Sequence, residues 1–278
     1  MFKRDPAEAV MRSDDVMALA ARRTVLHRGR HGDVGLLKSY LRQLYGGQSR
    51  DGSWSGSTLD TLQALFILHV LGEESSSKTE SALDWLLTDP MVGQRRRCGD
   101  GAEYFGLFGT LERKDRPRMR DLRGHFLNTG CAAFIKVGGA IAAAAWFDMA
   151  DDKRIMTALK CLDAVLRVRG GVWCSAACSN NILRAYVEHP KRAYSRHTRR
   201  AVKWLEKQQS KGGTWVGTSF YRTLNTIAQV NIMSSRKQVE RAIPRLRRSQ
   251  NEDGTWGKSH KWLKTYFTLD ALAMQDLL

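Results

Sequence analysis

The chain has 278 residues, with 45 Lys and Arg against 28 Asp and Glu, a formal net charge of +17 and an isoelectric point near 10.0. A hydrophobic content of 42% is enough to build a packed core and excludes a disordered or collagen-like chain. No apolar run reaches the length of a membrane-spanning helix, and Met1–Arg23 has no uninterrupted apolar core of a secretory signal. The five cysteines show no evident pairing pattern, which points to reduced thiols and a cytoplasmic location.

Such a charge selects anionic partners, whether phosphate groups, nucleic acid or the surface of an acidic membrane, or else it merely solvates an outer ring of helices. Residues 1–32 read as an N-terminal extension with one helix over 14–26, capped by Ser13 or Asp14 and lying over an outer surface. An amphipathic helix over 34–44 then leads into Leu44, Gln48, Gly52 and Trp54, and a more uniformly apolar run follows over 59–70. After a loop at 72–77, a second amphipathic helix covers 78–87 and stops at Asp89-Pro90.

Residues 91–124 interrupt the pattern with nine basic and five acidic residues, including Arg95, Arg96 and Arg97. An insertion of this length in a compact domain reads as a lid or an incidental loop. Apolar runs over 131–146 and 178–187 flank a weaker copy of the Leu–Gly–Trp phrase at Leu162, Gly171 and Trp173, with Leu166 in the glutamine slot. The full phrase returns at Leu205, Gln209, Gly213 and Trp215, and again at Leu246, Gln250, Gly254 and Trp256. Each is followed by an apolar run, 220–230 and 263–274. Gly124-His125-Phe126 reads as the delayed aromatic partner of the unit that begins at Leu86. The helices over 191–203 and 236–248 carry six cations each, and Pro244 predicts a kink or a late start in the second.

Internal repetition at this regularity indicates stacked units. Each unit reads as an outer amphipathic helix, a Gln/Gly turn and an inner helix that is apolar most of the way round. Five to six such hairpins closing on themselves give an all-α, single-domain α/α toroid over 1–278, with 91–124 as a basic flap. The inner helices share one polarity, so their N-termini gather on one rim, a place suited to anions.

The three full phrases resemble the QW motif of the terpenoid cyclase and protein prenyltransferase superfamily, such as the squalene–hopene cyclases. The resemblance implies the toroid, a scaffold role for Gln48, Trp54, Gln209, Trp215, Gln250 and Trp256, and an isoprenoid or other apolar substrate with a diphosphate-like head. The Asp-x-Asp-Asp motif of class II cyclases is missing. Asp148-Met149-Ala150-Asp151-Asp152 is near in letters but lies at the far end of an inner helix, and reads as a turn with a helix cap.

On the expected rim, Asp60, His125 and Tyr221 are the candidate catalytic groups, although Asp60 also suits a cap or salt bridge and His125 a surface position. Arg95, Arg96, Arg97, Phe126, Trp262 and Tyr266 are candidate substrate-binding residues, the aromatics serving either a carbocation or the core. Cys131, Cys178 and His260 fall at nearly equivalent slots and offer zinc a thiolate and imidazole set, the alternative being buried thiols. The superfamily's prenyltransferases hold zinc at this rim with Asp, Cys and His, but their Asp-x-Cys pair has no match here. Two readings follow: a terpenoid-cyclase-like enzyme acting on an anionic small molecule, or a nucleic-acid-binding or processing protein that uses the basic rim and outer helices.

Overall fold

The computed structural model describes residues 2–88, 95–97, 103–105, 108 and 110–278. Among them are twelve α-helices and one short antiparallel ribbon, β1 (Arg95–Arg97) paired with β2 (Glu103–Phe105). Helices alternate between two rings. The outer helices are α1 (Pro6–Met11), α3 (Asp33–Gly46), α5 (Ser77–Leu87), α7 (Lys153–Val168), α9 (Arg196–Gln208) and α11 (Met233–Ser249). The inner ones are α2 (Val16–Ala20, continued by a π turn to Val25), α4 (Thr58–Val70), α6 (Ala132–Trp146), α8 (Ala176–Glu188), α10 (Phe220–Ala228) and α12 (Lys261–Ala273).

The inner helices contact one another in the order α2, α4, α6, α8, α10, α12 and back to α2, so the ring is closed. This places the N-terminal segment differently from the sequence expectation. The helix of residues 14–26 does not lie over an outer surface. It is the sixth inner helix, with Leu19, Ala20 and Ala21 fully buried and Thr24 Oγ1 donating to Val70 O at 3.1 Å.

Each outer helix buries one stripe. In α9 the stripe is His197, Thr198, Ala201, Val202 and Leu205, at the spacing of one helical face, and the arginines point outward. α6 is buried almost throughout, and it approaches its neighbours through glycines. A Cβ on Gly138 would lie 2.7 Å from Asn181 O on α8, and one on Gly139 would lie 2.6 Å from Leu62 on α4.

The Leu–Gln–Gly–Trp phrase is a staple between hairpins. Its glutamine amide donates back to the carbonyl of its own turn glycine and onward to a carbonyl in, or just before, the next outer helix. Gln48 Nε2 reaches Gly52 O and Lys78 O, Gln209 Nε2 reaches Gly213 O and Gln238 O, and Gln250 Nε2 reaches Gly254 O and Arg4 O. The last staple therefore ties the end of the chain to its beginning. The glycine has two reasons to be glycine: Gly213 has φ +82°, and a Cβ there would sit 2.4 Å from Arg241 O. In two of the three the tryptophan N–H closes the unit on the preceding helix, Trp54 on Leu44 O at 2.8 Å and Trp256 on Leu246 O at 2.9 Å, whereas Trp215 donates to Gln238 Oε1 of the next outer helix at 2.8 Å.

The weaker copy follows this plan, with Trp173 Nε1 donating to Leu162 O at 3.0 Å and Leu166 simply buried. Gly124-His125-Phe126 does not. Gly124 packs on His260 across the ring and Phe126 points into the centre. α11 starts at Met233 and runs through Pro244 without a late start, because Pro244 is exposed and water can satisfy the carbonyl it leaves without a partner.

Candidate active site

The inner-helix N-termini do meet at one rim, and residues 110–131 are seated in it as a plug. The plug's first half caps α4 with acids. Glu112 Oε2 accepts from Thr58 N at 3.0 Å, and Asp115 accepts from Ser57 Oγ at 2.6 Å and Leu59 N at 3.4 Å. The N-terminus that sequence reasoning offers to an anionic substrate is thus occupied by the protein's own carboxylates. The cations of this stretch pair with neighbouring acids (Arg118 with Asp60, Arg123 with Asp121) or face solvent. β2 lies against the outer helix α7, and the side chains of Arg95, Arg96 and Arg97 lie outside the described residues.

The plug's second half is held from α8 and α10. Arg222 Nε–H donates to His125 O at 2.7 Å, and Nη2 donates to Arg123 O at 2.9 Å and to Leu122 O. Asn128 binds Asn181 and Asn180 of α8 through its backbone N–H and side-chain amide, at 2.7 and 2.6 Å, and Ser219 N donates to Asn128 Oδ1 at 3.2 Å.

This geometry reassigns the rim candidates. Asp60 takes both Arg118 nitrogens, at 3.1 and 2.5 Å, and that pairing holds its carboxyl below the usual range against the effect of burial. It is an ionised salt-bridge partner with no proton to give. His125 is buried, its Nε2–H donating to Leu59 O at 3.0 Å and its Nδ1 accepting from Leu127 N at 3.1 Å. Desolvation pulls it down to about 4. It is a neutral structural imidazole, since both ring nitrogens are committed. Tyr221 packs edge-on to Phe220 beside Lys264, and burial raises its hydroxyl. Trp262 and His260 line a separate rim cleft of about 200 Å³ with Asp15 and Gln63. His260 is exposed, so the predicted Cys131, Cys178 and His260 trio is not the grouping found. The third thiol of the cluster is Cys174, and the three sulfurs lie within 4.8 Å of one another. Asp152 is the N-cap of α7, accepting from Arg154 N at 2.7 Å, and Asp151 pairs with Lys191, as a turn and cap require.

Phe126 and Tyr266 do come together, at the centre of the ring. Phe126 stacks on Phe66 with centroids 4.8 Å apart and lies 5.4 Å from Trp146, while Tyr266 meets Phe66 edge-on at 6.3 Å. Beneath this aromatic cluster is a small chamber of about 60 Å³ lined by Phe66, His69, Trp146, Arg184, Glu188 and Asp270, among others. Asp270 Oδ2 accepts from Asn225 Nδ2 at 2.6 Å and from Gln229 Nε2 at 2.7 Å. Arg184 donates to Asn225 Oδ1 at 2.5 Å and pairs with Glu188 at 3.3 Å.

Burial dominates this group. It pushes the carboxyls of Asp270 and Glu188 up, outweighing the amide bonds and Arg184, and it pulls His69 down to about 4. A carboxyl whose affinity for a proton is raised by burial, set beside aromatic rings, is the kind of group that can protonate an alkene, and the rings can stabilise the cation that forms.

Sequence reasoning missed Asp270, Glu188 and Arg184. The signal was there: charged residues inside otherwise apolar inner helices, with Arg184 and Glu188 spaced for one face. A larger cavity of about 690 Å³ lies elsewhere, lined by Phe2, Arg4, Leu26, Leu269 and Leu278 among others. Its one acid, Asp5, caps α1.

Residues 138–271 match the family model of the squalene-hopene cyclase C-terminal domain. A comparison with curated proteins finds no match. Among solved structures, the type II terpene cyclase MstE from Scytonema is similar at 13% identity over 95% of this chain and 88% of that chain, with a TM-score of 0.56. A variant of the same cyclase in complex with geranylgeranyl dihydroxybenzoate, its substrate, gives 13% identity, coverage of 98% and 87%, and a TM-score of 0.58. A protein from Actinoplanes gives 14% identity, coverage of 98% and 100%, and a TM-score of 0.58. The chain shares the α/α-toroid fold of these structures. Among the described residues no helix is long and apolar enough to cross a membrane.

Proposed function

We propose that this terpenoid-cyclase-like toroid protonates and cyclises the polyprenyl chain of an anionic small molecule in its central chamber. Asp270 is the acid, and Phe66, Trp146 and Tyr266 are the cation-facing rings. The observation that carries the reading is the placement of Asp270, a half-buried carboxyl that desolvation pushes above its ordinary range, in the chamber beneath the aromatic cluster. Asn225 and Gln229 hold one carboxyl oxygen as donors, which leaves the proton to the other, Oδ1. Glu188, paired with Arg184 in the same chamber, is placed to take up the proton that the cyclised cation releases and so to restore the proton balance after turnover.

The chamber of about 60 Å³ accepts little more than water, whereas a ligand of this class needs several hundred Å³. Phe126, at the tip of the plug, occupies the space above Phe66 that an isoprene unit would take. Binding in this reading displaces Phe126 with the plug. Nothing in the comparisons supports the nucleic-acid reading.

The test is incubation with polyprenyl substrates that differ only in their head groups, a benzoate against a diphosphate, with products resolved by mass spectrometry. Cyclised products of unchanged mass are expected. The isosteric Asp270→Asn should abolish them while leaving the circular dichroism spectrum intact. Full activity in Asp270→Asn would remove the acid and with it this mechanism.

A further inference from the structure

The thiols of Cys131, Cys174 and Cys178 come from two inner-helix ends. Cys131 is the N-cap of α6, Cys178 sits in the first turn of α8, and Cys174 immediately precedes that helix's N-cap, Ser175. Their sulfurs lie within 4.8 Å of one another, and Cys131 Sγ to Cys178 Sγ is 3.5 Å. Thiolates about 2.3 Å from a tetrahedral zinc stand about 3.8 Å apart. The cluster therefore needs sulfur movements of no more than about an ångström to close on an ion.

We propose that Cys131, Cys174 and Cys178 hold a thiophilic d10 ion, zinc(II) or copper(I), at the junction of α6 and α8. Three further observations fit a ligand site. Both helices end there with their positive poles, which favours thiolates over thiols. The backbone N–H of Cys131 points at Cys178 Sγ from 3.1 Å, a bond that a thiolate accepts well. Gly130 clears the space, since a Cβ there would lie 2.9 Å from Cys178 Sγ.

Without metal, the contact with Cys131 and burial hold the Cys178 thiol above its ordinary range. Binding therefore displaces the protons the thiols still carry, and affinity rises with pH. Among the described residues these three form the donor set. Copper(I) is satisfied by three sulfurs, and zinc takes a water or another ligand as its fourth. Cys131 ends the plug, so the ion anchors the plug's exit to α8.

The experiment loads the full-length, reduced protein separately with zinc and with copper(I), removes excess ion, and measures retained metal by mass spectrometry. About one equivalent of either ion supports the site, and the ion retained identifies it. Cobalt substitution should give thiolate-to-metal charge-transfer bands that lose about a third of their intensity in Cys174→Ser. Cys174 is half-buried, so that variant should keep the fold, with the circular dichroism melt as the check. The proposal is overturned if folded wild-type protein retains less than about a tenth of an equivalent of both ions, or if Cys174→Ser and Cys178→Ser bind as the wild type does.

Discussion

Arg222→Met tests whether the plug is held from α10. Arg222 is 8% exposed and makes three charge-assisted bonds to plug carbonyls, those of Leu122, Arg123 and His125. Each such bond contributes about 2 kcal/mol. Against this, burial, with the neighbouring Arg184 charge, pulls the guanidinium down to about 10, a cost of about 3 kcal/mol. The bonds win by about 3 kcal/mol, so removing the head group should raise the population of the open plug about 10²-fold. Methionine keeps most of the stem's packing. Hydrogen exchange at the amides of residues 122–128, with limited proteolysis over the same stretch, reads the opening directly. Unchanged protection in a variant with an unchanged melting temperature would show that Arg222 is not what holds the segment.

Other outcomes follow from the same contacts. Asp60→Asn should reduce turnover by less than about tenfold and cost at most about 1 kcal/mol in a urea titration, because Asp60 is part of a half-exposed ion pair. A loss as large as that of Asp270→Asn would return Asp60 to the chemistry. His125, ordinarily 6.5 and about 4 here, refuses a proton that the unfolded chain accepts, so its contribution is present above pH 6.5 and lost as pH falls towards 4. Wild-type protein should then lose about 3 kcal/mol more stability than His125→Gln between pH 7 and pH 4, measured by urea midpoints. Gly213→Ala should destabilise by at least about 2 kcal/mol through its left-handed backbone and the contact with Arg241 O. Gly35→Ala, on α3 with nothing near its missing Cβ, should stabilise by about 0.5–1 kcal/mol. Thermal melts of the two distinguish the repeat glycine from an ordinary one.

The toroid was legible because each letter of the repeat has a separate task. The glutamine bridges to the next hairpin, the glycine lets that hairpin approach, and the tryptophan N–H returns to its own outer helix in Trp54 and Trp256 or reaches the next one in Trp215. Such tasks fix spacing as well as residue type. The α1–α2 hairpin escaped notice because it receives a staple without supplying one: Gln250 binds the backbone of Arg4, and backbone leaves no mark in the letters. The chamber around Asp270 escaped the repeat pattern for a related reason. Repeat phase leads to the rim, where Asp60 and His125 sit, but it does not say which face of an inner helix looks at the axis. Asp270 and Glu188 lie on the C-terminal halves of their helices, beyond the reach of the repeat. Phe126 and Tyr266 share one central cluster because large aromatics in these runs have few other places to go. Cys174 was passed over because its spacing to Cys178 matches no familiar ligand pattern, although one tight turn brings the two thiols together.

Ring closure also governs the order in which the molecule is made. α2 emerges from the ribosome early, with one flank destined for α4 and the other for α12, about 240 residues later. At a translation rate of about 5–20 residues per second, that second flank waits on the order of ten seconds or longer for its partner. Throughout that interval Leu19 and its neighbours present an unmatched apolar surface, which gives a nascent-chain chaperone its opportunity and a prematurely terminated chain its route to aggregation.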